Sequence, residues 1–225
     1  MNPVAKILET GRNAIASVDF EGWFNGYDED GNTLTGDWHG FTKNRRPEAH
    51  LGTATAAPFA VRWDTALLPA QSAAAVRAVV HFRAPTNVVF VTAATRGLEI
   101  AHRAGVRVAL FASRDLPTPF WSRTSQKKQC TIELPVAPEQ IESAELHVNA
   151  WTGGAGEVRD YFTLNGHPFP VAEGSRHELI YSRLKVDPPH LRHGANRIEL
   201  MSDTEHHGIE ILLPGPGVMV RYKSP

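Results

Sequence analysis

The chain has 225 residues, 42% of them hydrophobic, enough to bury a core in one large β-domain or in two ordinary ones. Lys plus Arg (23) nearly balances Asp plus Glu (24), so electrostatic capture of nucleic acid or of an anionic membrane is not expected. The single cysteine, Cys130, excludes an intrachain disulfide.

From the N-terminus onward, no apolar run reaches signal-peptide or transmembrane length, which leaves two expectations open: a cytoplasmic protein, or an exported one whose leader has been removed. Helical periodicity is scarce. Short runs rich in Val, Ile, Phe and Thr recur instead between Gly, Pro and Asn clusters, at 14–20, 59–64, 75–84, 88–93, 107–111, 129–134, 143–150, 161–165, 197–201 and 217–222. That spacing predicts an all-β fold of packed sandwiches. The Ala-rich stretch 69–75 and the stretch 138–143, which has room for one helical turn, read as connections. Residues 25–51 form a long polar insertion without a strand pattern of its own, and loops of that length are commonly functional. Phe24, Tyr27, Trp38, Phe41 and Leu51 give it apolar area with which to dock on the second half of the chain. A domain boundary is expected near 97–105, giving domains 1–100 and 101–225.

The segment Pro58-Phe59-Ala60-Val61-Arg62-Trp63-Asp64-Thr65, preceded by Gly52-Thr53-Ala54-Thr55, resembles bacterial immunoglobulin-like modules, with the insertion where those have a short turn. Alternation of Phe59, Val61 and Trp63 points Trp63 into the core. In the second half, Ala144-Glu-Leu-His-Val-Asn-Ala-Trp151, Tyr161-Phe-Thr-Leu-Asn-Gly-His-Pro168 and Leu191-Arg-His-Gly-Ala-Asn-Arg-Ile-Glu-Leu200 are similar to the galactose-binding-type jelly roll found beside glycoside hydrolase catalytic domains. The resemblance implies an immunoglobulin-like sandwich followed by a jelly roll, in the manner of bacterial two-module proteins, and an association with carbohydrate.

Chemistry is concentrated outside the strand patterns. The turn Ser202-Asp203-Thr204-Glu205-His206-His207-Gly208 carries carboxylates and imidazoles between two buried strands, where backbone needs alone would call for Gly, Asn, Asp or Pro. His39 and His50 of the insertion supply further imidazoles. Together His39, His50, Glu205 and His207 are ligand types for one divalent ion (Zn, Cu, Mn or Ca), or an acid/base set without metal. Asp28-Glu29-Asp30-Gly31-Asn32 starts like a calcium loop but has His39 at the twelfth position, and it also makes a good hairpin turn. Trp38 beside Asp37, Trp151, Tyr161, Trp23, Trp121 and Tyr27 are candidates for stacking on sugar rings, and Arg45 and Arg46 for binding a uronate or sulfate. Cys130 reads as a small core residue. No nucleophile elbow, phosphate loop or dinucleotide fingerprint is present. Two functions follow: saccharide binding in an interdomain cleft lined by the aromatic and His/Glu residues, or a small saccharide lyase or hydrolase using the same residues.

Overall fold

A computed structural model describes residues 4–6, 14–40, 42–43, 46–85, 88–124, 126–154, 156–173, 177–205 and 208–224. The chain is all-β, every strand pair among the described residues is antiparallel, and the chain divides into two compact units. Unit 1 comprises Met1–Gly26 and Leu34–Ala101; unit 2 comprises Tyr27–Thr33 and His102–Pro225. Among the described residues no helix is long and apolar enough to cross a membrane.

Unit 1 carries β1 (Val4–Lys6), β2 (Ile15–Asn25), β3 (Gly36–His39), β4 (Thr42–Lys43), β5 (Arg46–Pro47), β6 (Gly52–Ala54), β7 (Ala60–Arg62), β8 (Gln71–Phe82), β9 (Val89–Val91) and β10 (Thr95–Ile100). The long pair β2 and β8 is its spine; β3 and β6 share the free edge of β2, and β9 and β10 share that of β8. Alternation along β2 sends Val18, Phe20 and Phe24 to a core with Phe59, Val80, Trp63 and Ile100, while Asp19 and Glu21 point to the other face. Trp63 is 5% exposed and its ring centroid lies 5.4 Å from that of Phe24.

Strands form in two stretches where the sequence shows no strand pattern, one in the insertion and one in the Ala-rich connection. Gly36–His39 pairs with Gly22–Asn25, and at Gly36 a Cβ would meet Asn25 Oδ1 at 2.3 Å, so a larger residue there would require the Asn25 side chain to turn away. The Ala-rich stretch opens β8: the Gln71 side chain accepts from Asn25 N (2.8 Å) and donates to Asn25 O (3.1 Å), and Ala74 and Ala75 are fully buried, where a larger side chain would not pack.

Unit 2 is a sandwich of a five-stranded and a four-stranded sheet. Its strands are β11 (Val106–Ala112), β12 (Gln126–Leu134), β13 (Ile141–Thr152), β14 (Phe162–Leu164), β15 (His167–Pro168), β16 (Glu178–Val186), β17 (Gly194–Ser202), β18 (Ile209–Ile211) and β19 (Gly217–Lys223). One sheet runs β11-β19-β13-β16 with β18 beside β13; the other runs β12-β17-β14-β15. Leu146, Val148, Val218 and Val220 of the first face Ile132, Leu134, Phe162, Leu164, Ile198 and Leu200 of the second, all fully buried. Cys130 belongs to this core, and burial pushes its thiol up to about 11, away from nucleophilic chemistry. A short 3-10 turn at Pro138–Gln140 leads into β13.

The insertion is divided between the units: Gly36–His39 stays with unit 1, and Tyr27–Thr33 forms a strap on unit 2. Tyr27, 4% exposed, donates its hydroxyl to Gly215 O (2.7 Å), and its ring lies 5.4 Å from that of His147 and 5.6 Å from that of Tyr181. Asn149 Nδ2 donates to Glu29 O at 2.7 Å. Gly31 has φ +71° and passes so close to Leu213 that a Cβ would stand 2.9 Å from its carbonyl oxygen. The Asp28 carboxylate accepts the amides of Asn32 (3.0 Å) and Thr33 (2.8 Å), so the calcium-like segment closes its own turn with its own oxygens.

Candidate functional site

On β13 the residues opposite the core alternate as Glu145, His147, Asn149 and Trp151, the outer face of the five-stranded sheet. Trp151 is paired with Leu179 on β16 and with Glu210 on β18, and Glu210 is paired in turn with Trp121 through an isolated bridge. Directly paired residues share a face, so Leu179, Trp151, Glu210 and Trp121 form one row across the sheet. Two strand spacings set the tryptophan backbones about 10 Å apart with a carboxylate between them. Trp151 stacks on His177 (5.4 Å, 19°), and the Arg123 guanidinium lies 4.0 Å over the Trp121 ring. Both tryptophans, Glu210 and Arg123 are half-buried and His177 is exposed. Such a row packs the C–H faces of a ring-shaped polar ligand while the carboxylate accepts from its hydroxyls.

The row is held by the segments on either side of it. Gly208, which closes the 202–208 turn, passes so near Ser122 that a Cβ would meet its carbonyl oxygen at 2.0 Å. Asp203 accepts the Glu157 amide at 3.0 and 3.2 Å, and Thr124 bonds the backbone of Asp203 and Thr204. In this turn both acids are exposed, but Asp203 is a structural tie.

Two steps along the same face the polar residues are buried. His147 Nδ1 lies 2.6 Å from the Tyr181 hydroxyl; its Nε2, with no hydrogen-bond partner among the described residues, stands 3.6 Å from Glu145 Oε2. Burial, and then the charge of Arg183, push the imidazole down to about 3, so His147 is neutral. Glu145 does not offset this because it is paired with Arg183 at 3.1 Å. Burial likewise raises the hydroxyls of Tyr27 and Tyr181 above the phenol range.

Unit 1 carries a second polar group of residues on the face of β2 away from its core. Asp19 Oδ2 lies 2.7 Å from His81 Nε2, Asp19 Oδ1 accepts from Thr53 Oγ1 at 2.6 Å, and Thr53 Oγ1 lies 2.8 Å from His50 Nε2. Burial lowers the His50 imidazole against the opposing pull of Asp19 and Glu21. Beside them Arg77 pairs with Glu21 (2.6 Å) and lies 4.1 Å over the Trp38 ring.

The candidates drawn from sequence are distributed over both units. His39 is 3% exposed, stacks on Phe24 at 3.8 Å and has Nε2 2.9 Å from Phe24 O and 3.7 Å from Asp37 Oδ1. It looks to the core side of the sheet, whereas His50 bonds on the opposite side. Trp38 and Asp37 lie with them in unit 1; Glu205, Trp151 and Tyr161 lie in unit 2. The Tyr161 hydroxyl donates to Val171 O at 2.9 Å and is pushed up to about 12 by burial. His207 and Arg45 fall outside the described residues, as does the side chain of Arg46. Among the described residues no three His, Cys, Asp or Glu side chains are grouped to hold a metal ion. Sequence reasoning missed Glu210, Arg123, His177, His147, Asp19 and His81. The signal for Glu210 was local, a lone acid between Ile209 and Ile211 in a buried strand.

No family model matches the chain, and no curated protein does. Among solved structures it is similar to a β-porphyranase of glycoside hydrolase family 86 from the human gut bacterium Bacteroides plebeius, with 8% identity and a TM-score of 0.40 over 100% of this chain and 33% of that one. It is also similar to wild-type BuGH86 in complex with neoagarooctaose, with 9% identity and a TM-score of 0.40 over 92% of this chain and 28% of that one. The chain thus spans about a third of the length of the solved structures it matches.

Proposed function

We propose that the protein binds saccharide through unit 2, on the row Trp121, Glu210 and Trp151. The observation that carries this reading is the register: two half-buried indoles on one face, two strands apart, with a carboxylate between them. Arg123 and His177 fix the two rings, so little side-chain freedom is lost when a sugar packs on them. A glycan array followed by calorimetry on the best ligand tests it. Trp151→Ala and Trp121→Ala are each expected to weaken binding about tenfold, roughly 1.4 kcal/mol, at unchanged thermal stability. A protein that bound no glycan, or bound equally well without both rings, would defeat the reading.

A second reading, a small saccharide lyase or hydrolase, is favoured by the chain of bonds from His50 through Thr53 to Asp19 and His81, which suits proton transfer. It requires product formation from a polysaccharide by the purified chain, lost in His81→Ala with the melting temperature retained.

A further inference from the structure

The opposite side of the unit 2 sandwich, the outer face of the four-stranded sheet, has a polar concavity of about 210 Å³ lined by Asn165, Gly166, Arg192, Arg197 and Glu199. Two arginines and one glutamate line it, and that carboxylate is already shared: Glu199 Oε1 lies 2.8 Å from both Lys127 Nζ and Arg197 Nη2. Arg197 gives the same Nη2 to Gln129, so no bond among the described residues uses its Nε or Nη1. No carboxylate of the described residues pairs with Arg192. The concavity therefore holds more positive charge than its own acid offsets.

Its walls are fixed from beneath. Asn196 is fully buried; its Oδ1 accepts from Arg192 N and from Asn165 Nδ2 (2.8 Å each), and its Nδ2 donates to Arg192 O and Gly194 O. Asn165 Oδ1 in turn accepts from Arg197 N at 2.9 Å. Asn196, fully buried, and Asn165, half-buried, thus tie together the backbones that carry Arg192, Arg197 and Gly166. Gly166 has nothing within 4 Å of where its Cβ would be, so the mouth is open. Guanidiniums on a backbone ordered in advance, beside an opening of this size, suit a compact planar or tetrahedral oxyanion.

We propose that this concavity binds the oxyanion of an acidic sugar, a sulfate ester or a uronate carboxylate, with Arg192 and Arg197 as its donors. The proposal rests on the saccharide reading for the sugar but uses a different face of unit 2. The test follows the Gly166 amide by NMR in the full chain during titration with glucose 6-sulfate, glucuronate, inorganic sulfate and unmodified glucose. A saturable shift with at least one of the two sugar anions and none with glucose is expected, with the stronger of the two identifying the group. Arg192→Gln should weaken that binding roughly tenfold, as for loss of one charge-assisted hydrogen bond. No shift with either sugar anion, a shift with inorganic sulfate alone, an equal shift with glucose, or full binding by Arg192→Gln would each overturn it. The glycan array and the Trp121→Ala and Trp151→Ala variants read the Trp121–Trp151 row separately: no glycan on the row with a responding Gly166 would defeat the proposed function and leave this site standing, and the converse would defeat only this site.

Discussion

His147 is neutral inside unit 2 although Glu145 stands 3.6 Å from its Nε2, because its ring is buried against Tyr27 and Tyr181 and the charge of Arg183, which pairs with that acid, adds to the effect. The consequence is a pH dependence with a definite sign. The folded pKa is lowered to about 3 from the ordinary 6.5, so below 6.5 the unfolded chain takes up a proton that the folded chain refuses. Stability from this group is complete above pH 6.5 and is lost as pH falls toward 3, at up to about 1.4 kcal/mol per pH unit. Between pH 6.5 and 5, before most carboxylates titrate, denaturation midpoints should already fall, and His147→Gln, which keeps an acceptor for the Tyr181 hydroxyl, should flatten that limb. An unchanged slope in His147→Gln would rule His147 out as its source. None of this was legible in the sequence, where His147 stood within a segment read only for its fold; its burial depends on Tyr27, 120 positions away along the chain.

At the level of elements, strands with one apolar face were legible and those with mixed faces were not. Gln126–Leu134 alternates over its buried length and Ala144–Ala150 alternates apolar with polar residues, whereas in Glu178–Val186 the inward set of Ile180, Ser182, Leu184 and Val186 is broken by Ser182, whose hydroxyl accepts the Ala172 amide. Trp121 and Trp151 were legible separately as stacking candidates. Their alignment was not, since it depends on the register of a three-residue strand, Ile209–Ile211, between them. That register is set by the turn before it, which gives the 202–208 segment a role apart from its ionisable groups. Gly208→Ala would drive a Cβ into the Ser122 carbonyl, a backbone atom that cannot swing aside. The substitution should cost about 1–3 kcal/mol and displace Trp121 from the row. Thermal melts and glycan affinity check the two effects, and a variant with the parental melting temperature and affinity would mean that the turn does not fix the row.

For the molecule as a whole, the sequence placed a boundary near 97–105 and an insertion of mixed character at 25–51, but it offered no means of seeing the insertion shared out between two units. The division follows side-chain chemistry. Trp38 and His39 find a strand edge on β2, while Tyr27 lies against Gly217 and donates its hydroxyl to Gly215 O. Unit 2 is therefore built from two separate stretches of sequence, and the short one, Tyr27–Thr33, is continuous on both sides with unit 1. A protease site inserted after Ala101 would sever the other covalent connection between the units. If the strap is an integral part of unit 2, the nicked protein should elute as a single species under native conditions and separate only on denaturation. Tyr27→Ala removes the buried ring and its bond to Gly215, a change of about 3–5 kcal/mol for a buried aromatic residue, and should let the nicked halves part at neutral pH. Tyr27→Phe, which keeps the ring and loses about 1 kcal/mol of hydrogen bonding, should hold them together. Separation of the nicked parent protein into two folded pieces on native size-exclusion chromatography would show that the strap is dispensable to unit 2.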